Sequence, residues 1–315
     1  MPANADADAG GTGSRDFDVL VIAGAGVDTI VRVDSLSLPG GDSVFVPPVL
    51  DYVGHTGNGV ALGCHALGLA TKFVDFLGED VQGGMVLEAY AERGLDFSHV
   101  VSPHGTPRGV NLVDAQGRRF SFFDGRHPAD LRLPREFYLP FVERARHVHM
   151  SIMGHNRDVY DDLERLGVPS STDLHDWDGR AEHHLPYALR SDLVFLSAAA
   201  IRGRVGEVMR GVLERGRAGL VVATDGAEGC HVLERGWTEP VHVPAADPGA
   251  PVVDTNGAGD SFVAAFLHAR LEGAPPLACA RAGAVAGAFA CTTAGTHTDF
   301  ITQSGLRHLT GEGAR

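Results

Sequence analysis

Short apolar runs alternate with stretches of helical periodicity along most of the chain. The runs fall at 17–23 (Phe-Asp-Val-Leu-Val-Ile-Ala), 72–76, 145–150, 193–196 and 220–223. Each is too short for a helix and too continuously apolar for a half-exposed strand. They read as strands of a parallel sheet buried on both faces. Between them, 58–69, 83–93 and 158–166 carry apolar residues at helical spacing, and Gly94 and Gly167 stand just past two of the ends. Strands alternating with helices predict βαβ units and an α/β, doubly wound sheet.

Two segments break the rhythm. Residues 30–53 alternate β-branched and polar side chains around Pro39-Gly40-Gly41 and Pro47-Pro48. Residues 108–123 read as a hairpin, with runs at 110–113 and 119–123 joined by a turn at 114–117. They form either two separate surface hairpins or one small sheet standing over the main domain as a lid.

At 315 residues and 44% hydrophobic the chain can bury a sizeable core. Its formal net charge of −14 opposes a nucleic-acid or anionic-membrane partner, since both would repel it. No apolar run is long enough to span a bilayer. Lys72 is the sole lysine, and no G-x-x-x-x-G-K-[ST] phosphate loop occurs. Cys64, Cys230, Cys279 and Cys291 form no C-x-x-C pair and no zinc-spaced cluster, which points to free thiols in a reducing cytoplasm. Residues 1–15, rich in Ala, Asp and Gly, lack the apolar core of a signal peptide and read as a disordered tail ahead of a single domain over 16–315.

The chemistry concentrates in Val252-Val253-Asp254-Thr255-Asn256-Gly257-Ala258-Gly259-Asp260-Ser261-Phe262. An apolar strand end runs into a glycine-rich turn. A helix follows, striped by Phe262, Val263, Phe266 and Leu267 and ended by Gly273 and Pro275. The backbone N–H groups from Gly257 through Ala258 and Gly259 to Asp260 would be free and would carry the positive end of the helix dipole. That is an anion hole suited to a phosphoryl group in transfer. Asp260 adds a carboxylate within reach of an attacking hydroxyl, as general base or orienter. Taken alone, the same aspartate could simply cap the helix.

The string D-T-x-G-A-G-D-[ST]-F resembles the signature of the ribokinase-like, or PfkB, carbohydrate kinases, and the resemblance runs from about Phe17 to Thr296. It implies a ribokinase-like fold: a mainly parallel sheet flanked by helices, with a small β-sheet lid built from segments near 30–53 and 106–126. It implies an ATP-dependent kinase that uses Mg2+ and phosphorylates a hydroxymethyl group of a sugar or nucleoside. Gly24-Ala-Gly-Val-Asp28 matches a family G-x-x-x-D, so Asp28 would bind substrate hydroxyls. Val53-Gly54-His55-Thr56-Gly57-Asn58 matches G-G-x-x-x-N with Val53 in place of the first glycine, and it puts Gly54, His55 and Asn58 at the sugar. Taken without the family, Asn58 could be a helix cap. Thr224-Asp225-Gly226-Ala227-Glu228-Gly229 resembles T-x-G-x-x-G. With Asn256, Gly257, Gly259 and the late loop at Ala294-Gly295, its Thr224, Gly226 and Gly229 would face the nucleotide. Asp254 and Thr255 match positions near a monovalent cation, which makes K+ activation an open expectation. Relatives often form homodimers through the lid.

Two departures stand out. The family's N-x-x-E, which helps organise magnesium-bound water, is Ser197-Ala198-Ala199-Ala200 here, so Mg2+ would rely on phosphate oxygens, water and another carboxylate. The usual G-A-N at the lid end is Gly125-Arg126-His127. Arg126, with His55 and His127 as further potential cations, would read an anionic or strongly hydrogen-bonding substrate, or else Arg126 is a solvated loop residue. Competing functions are a nucleoside kinase and a sugar-binding relative without turnover. A dinucleotide oxidoreductase, suggested by Gly24-Ala-Gly26, fails because Thr29 holds the third glycine position and no helix follows.

Overall fold

Val19 and Val21 lie on one side of the first strand, β1 (Phe17–Ile22), and Leu20 and Ile22 on the other, and all four are fully buried in two separate hydrophobic clusters. A strand covered on both faces has no polar side to show, which is why its sequence is continuously apolar. The computed structural model describes residues 15–37, 40–115 and 118–311. Residues 1–14 of the expected tail over 1–15, Pro39 of the first lid turn and Gly117 of the second lie outside the described residues.

After β1 come β2 (Gly26–Arg32), β3 (Leu50–Gly54), α1 (Thr56–Ala66), β4 (Thr71–Leu77), α2 (Val81–Arg93) and β5 (Asp96–Val101). Next are β6 (Arg108–Val113), β7 (Arg119–Asp124), α3 (Arg135–Val142), β8 (Ala145–Ser151), α4 (Val159–Leu166) and β9 (Ser170–Asp173). Then follow α5 (Leu185–Arg190), β10 (Leu193–Ser197), α6 (Val205–Arg215), β11 (Leu220–Thr224), β12 (Cys230–Glu234) and β13 (Val241–Val243). The chain closes with α7 (Ala258–Leu271), α8 (Pro276–Ala290) and α9 (Gln303–Thr310). The apolar runs are β1, β4, β8, β10 and β11, and the periodic stretches are α1, α2 and α4. Gly94 and Gly167 sit in the left-handed region at the ends of α2 and α4, where glycine avoids the Cβ clash.

A nine-stranded sheet runs β13-β12-β11-β10-β9-β8-β1-β4-β5, parallel except where β12 folds back between β11 and β13. Val60, Phe262, Phe266 and Leu267 of α1 and α7 pack on one face, and Tyr160, Leu163 and Met209 of α4 and α6 on the other. The two interrupting segments join in one second sheet, β3-β2-β6-β7, with β2 parallel to β6 and antiparallel to β3. Its first strand begins at Gly26, ahead of the expected start at Ile30. Gly26 belongs in that strand for steric reasons: a Cβ there would lie 2.5 Å from the Pro107 carbonyl oxygen and 2.7 Å from His55 Nε2. Among the described residues no helix is long and apolar enough to cross a membrane. All four cysteines are free thiols.

Candidate active site

The strand order sets the location. β4 and β8 flank β1 and the chain leaves in opposite directions, so a crevice opens at the carboxyl ends of these strands. Thr56 Oγ1 and Ser151 Oγ, 3.1 Å apart, tie the start of α1 to the end of β8 at that crevice. Fully buried Asp75 of β4 fixes the β1–β2 hinge by accepting the Ala25 N–H at 2.7 Å, with His155 Nε2 at 3.0 Å from its other oxygen.

The glycine-rich turn begins α7 as expected. Gly257 is the N-cap in the left-handed region (φ 79°), and a Cβ there would also meet His297 Cδ2 at 2.6 Å. Ala258, Gly259 and Asp260 form the first turn, whose N–H groups have no partner within a helix. Asp260 does not cap the helix. Its carboxylate Oδ2 is instead 2.7 Å from His297 Nε2.

His297, absent from every sequence motif considered, extends this pair into a chain. Its Nδ1 is 2.8 Å from Asn58 Nδ2, and the same Nδ2 donates to the Val53 carbonyl oxygen at 3.2 Å. A carbonyl can only accept, so Val53 sets the orientation of the Asn58 amide. Nδ2 then donates to His297 Nδ1 as well, which leaves the imidazole proton on Nε2, donated to Asp260. Asn58 therefore lies inside α1 as a fully buried link and is not a helix cap. The helices approach closely to allow this: a Cβ on Gly59 would lie 2.3 Å from His297 Nε2 and 2.5 Å from Asp260 Cβ. The only local sign of His297's role is its left-handed backbone (φ 55°), which a sequence does not display.

Asp28 reaches the crevice from β2. Its Oδ2 accepts the His55 N–H at 3.3 Å, and a Cβ on Gly54 or Gly109 would lie 2.2 or 2.3 Å from its carboxylate. The two glycines are the slot in which that carboxylate lies. His55 packs against Phe123 of β7, ring centroids 5.2 Å apart. Burial pushes the pKa of His55 down, against the opposing pull of Asp28 and Asp75. Burial likewise lowers His127. The expected group of three cations therefore reduces to Arg126, because both imidazoles are held neutral. Arg126 Nε donates to Asp124 at 2.9 Å, and its guanidinium lies over Gly105 beside Asp80.

Asp254, 9% exposed, is the hub of the turn before Gly257. Its Oδ1 accepts from the backbone and side-chain amides of Asn256, and its Oδ2 accepts from the Gly295 N–H at 3.2 Å and from Arg32 Nη2 at 3.3 Å. Arg119 of β7 donates to Asn256 Oδ1 at 2.8 Å. Thr255 accepts from the Ala258 N–H at 3.4 Å. Gly295 needs its lack of a side chain, since a Cβ would meet the Tyr52 ring at 2.5 Å. Thr224, Gly226 and Gly229 lie at the carboxyl end of β11. Gly229 turns the chain (φ 95°) where a Cβ would strike the Val243 carbonyl oxygen at 2.2 Å.

One further carboxylate faces this region. Asp173 ends β9, paired in register with Ser151, and accepts the His175 N–H at 2.8 Å. Burial raises its pKa; the His175 ring and N–H pull the other way, and the charge of Asp260 adds to the rise. Two carboxylates that repel one another favour a cation between them. Among the described residues no three acidic, histidine or cysteine side chains form a metal cage.

Residues 190–303 match the pfkB family carbohydrate kinase domain. An acarbose 7(IV)-phosphotransferase from an Actinoplanes species is 48% identical over 93% of this chain and 98% of its own. The chain belongs to the pfkB family. It is an ATP-dependent carbohydrate kinase with a ribokinase-like fold. A fructoselysine 6-kinase from Escherichia coli is 30% identical over 74% of this chain and 88% of its own. The solved structure of a microbiome-derived acarbose kinase, Mak1, superposes on this kinase with a TM-score of 0.87 at 48% identity, covering 94% of this chain and 99% of the other.

Proposed function

We propose that this kinase transfers the γ-phosphoryl group of ATP to a hydroxymethyl group of an acarbose-like sugar, with Asp260 receiving the hydroxyl proton. The carrying observation is the placement of Asp260: it shares the first turn of α7 with N–H groups that have no partner within the helix, and His297 holds one of its oxygens. The other oxygen is left to accept the proton of an attacking hydroxyl. Oxygen–phosphorus bond formation and loss of ADP then proceed while the N–H groups of Gly257, Ala258 and Gly259 stabilise the charge spreading over the transferred phosphoryl. Asp28 binds acceptor hydroxyls, and Asn58, fully buried, acts on the site by orienting His297. Thr224, Gly226, Gly229 and Gly295 lie along the nucleotide. An acceptor larger than a monosaccharide is supported by the 48% identical relatives that act on acarbose.

The test is a screen of acarbose, fructoselysine, ribose, fructose and nucleosides with ATP, followed by phosphorus NMR of the product. Acarbose phosphorylated at a hydroxymethyl oxygen is the expected outcome. A nucleoside or ring-hydroxyl product would overturn the assignment.

Asp173 would hold the hydration shell of Mg2+, whose charge when bound neutralises the phosphates. Asp173→Asn is expected to raise the Mg2+ concentration for half-maximal activity about tenfold. An unchanged Mg2+ titration removes Asp173 from that role.

A homodimer through the lid is supported by Phe120 and Phe122, 54% and 57% exposed on the edge strand β7. Edge strands with exposed apolar side chains are prone to pair. Sedimentation should find a dimer in the wild type and a monomer in Phe122→Glu; a monomeric wild type ends the idea. Use of ATP and four free thiols support a cytoplasmic setting, which cell fractionation checks.

A further inference from the structure

Family resemblance puts a monovalent cation beside Asp254 and Thr255, and the side chains around Asp254 do not leave it room. A carboxylate offers about four lone-pair positions. Here Oδ1 takes the N–H and Nδ2 of Asn256, and Oδ2 takes the Gly295 N–H and Arg32 Nη2. Every position has a donor, and one of the donors is itself a cation. A guanidinium placed on the carboxylate supplies the charge that a potassium ion would bring.

Arg32 is not part of the α/β domain. It ends β2 of the lid. In the lid register Arg32 pairs with Val113, and Val113 with Arg119. Residues opposite one another in a ladder project from the same face. The two arginines therefore form one row on the underside of the lid. Both reach the same turn, Arg32 at Asp254 and Arg119 at Asn256, 2.8 Å from its Oδ1. Gly257 and the first turn of α7 follow immediately.

We propose that Arg32 is a positioning residue that replaces the monovalent cation, so that lid closure, in place of K+, sets the turn ahead of the anion hole. Opening the lid withdraws the guanidinium from Asp254 and the second donor from Asn256, and the turn loses two of its anchors. Closing the lid over an acceptor restores both. The nucleotide-side N–H groups are then ordered only when an acceptor is enclosed, which limits transfer to water. The idea rests on the anion-hole assignment of the preceding subsection.

The test compares wild type, Arg32→Ala and Arg32→Lys at constant ionic strength in KCl, guanidinium chloride or tetramethylammonium chloride. Wild-type kcat should be the same within about twofold in all three. Arg32→Ala should lose about tenfold in tetramethylammonium, the scale of one lost charge-assisted hydrogen bond, and recover in K+ or guanidinium. Arg32→Lys, which keeps a charge, should retain more activity than Arg32→Ala. A second readout needs no turnover: with a non-hydrolysable ATP analogue bound, KCl should raise the melting temperature of Arg32→Ala and leave the wild type unmoved, because a ligand that binds only the folded state stabilises it. A wild type activated several-fold by K+, or an Arg32→Ala variant indifferent to K+ and guanidinium in both readouts, overturns the proposal. If the melting response holds while Asp260 variants remain active, the latch stands and the catalytic assignment falls.

Discussion

Asp260→Asn is expected to lower kcat by about 10²- to 10⁴-fold, the range for loss of a general base, while ATP binding survives. The substitution is nearly isosteric. The asparagine carbonyl oxygen can still accept the His297 Nε2–H that now reaches Asp260 Oδ2 at 2.7 Å, so the side chain keeps its place. The turn geometry at Gly257 and the first-turn N–H groups are backbone features and do not change. What disappears is the capacity to take up a proton and one negative charge. Neutralising Asp260 removes one negative charge from the first turn of α7 and so lowers the repulsion met by a triphosphate. Calorimetric ATP affinity should therefore be equal to or tighter than that of the wild type. A loss of less than tenfold in kcat would mean that another group, or water, takes the proton. A parallel loss of ATP affinity would mean that Asp260 serves chiefly to shape the turn.

Much of this was legible because it is local. Strands such as β1, buried on both faces, announce themselves by continuous hydrophobicity, and the hairpin of β6 and β7 by alternation around a turn. The Gly257–Asp260 turn is a contiguous string in which each residue type has a backbone reason. Other elements lack that contrast. β9 (Ser-Ser-Thr-Asp) lies inside the large sheet although no residue in it is apolar. Its hydroxyls are satisfied laterally, Thr172 by the Met150 carbonyl oxygen at 2.7 Å and Ser171 by His147 and His149 at 2.7 and 2.9 Å, and a hydropathy pattern does not reveal that. Asn58 illustrates a half-legible case. Its position was identified, but its function depends on a partner 239 residues away. The Arg32–Asp254 contact spans 222 residues. In one sequence such pairs look like an ordinary arginine on a strand and an ordinary aspartate in a turn. The cation expectation at Asp254 shows the cost: the motif carries the carboxylate and says nothing of what already occupies its oxygens.

His297→Ala should lower kcat about 10- to 100-fold with a smaller change in the acceptor KM, and His297→Gln should recover part of the loss. The reasoning follows from where the proton sits. Val53 fixes the Asn58 amide, Asn58 fixes the imidazole tautomer, and the tautomer commits His297 Nε2–H to one oxygen of Asp260. A free carboxylate in the first turn of a helix has competing donors, namely the anion-hole N–H groups themselves. If Asp260 turned toward them it would occupy the place of the phosphoryl oxygens and stop accepting the hydroxyl proton. His297 holds it away. Alanine removes that restraint and also leaves Asn58 short of a buried acceptor, at a cost on the scale of a buried donor left unsatisfied, about 1–3 kcal/mol. Glutamine can place an N–H close to the position of Nε2, so a role in orientation predicts a ranking of wild type, then Gln, then Ala in kcat. A role confined to packing predicts something else: equal kcat for Gln and Ala, with the damage appearing in the melting temperature. Single-turnover rates with saturating ATP and acceptor, measured beside thermal unfolding of the three proteins, separate the two.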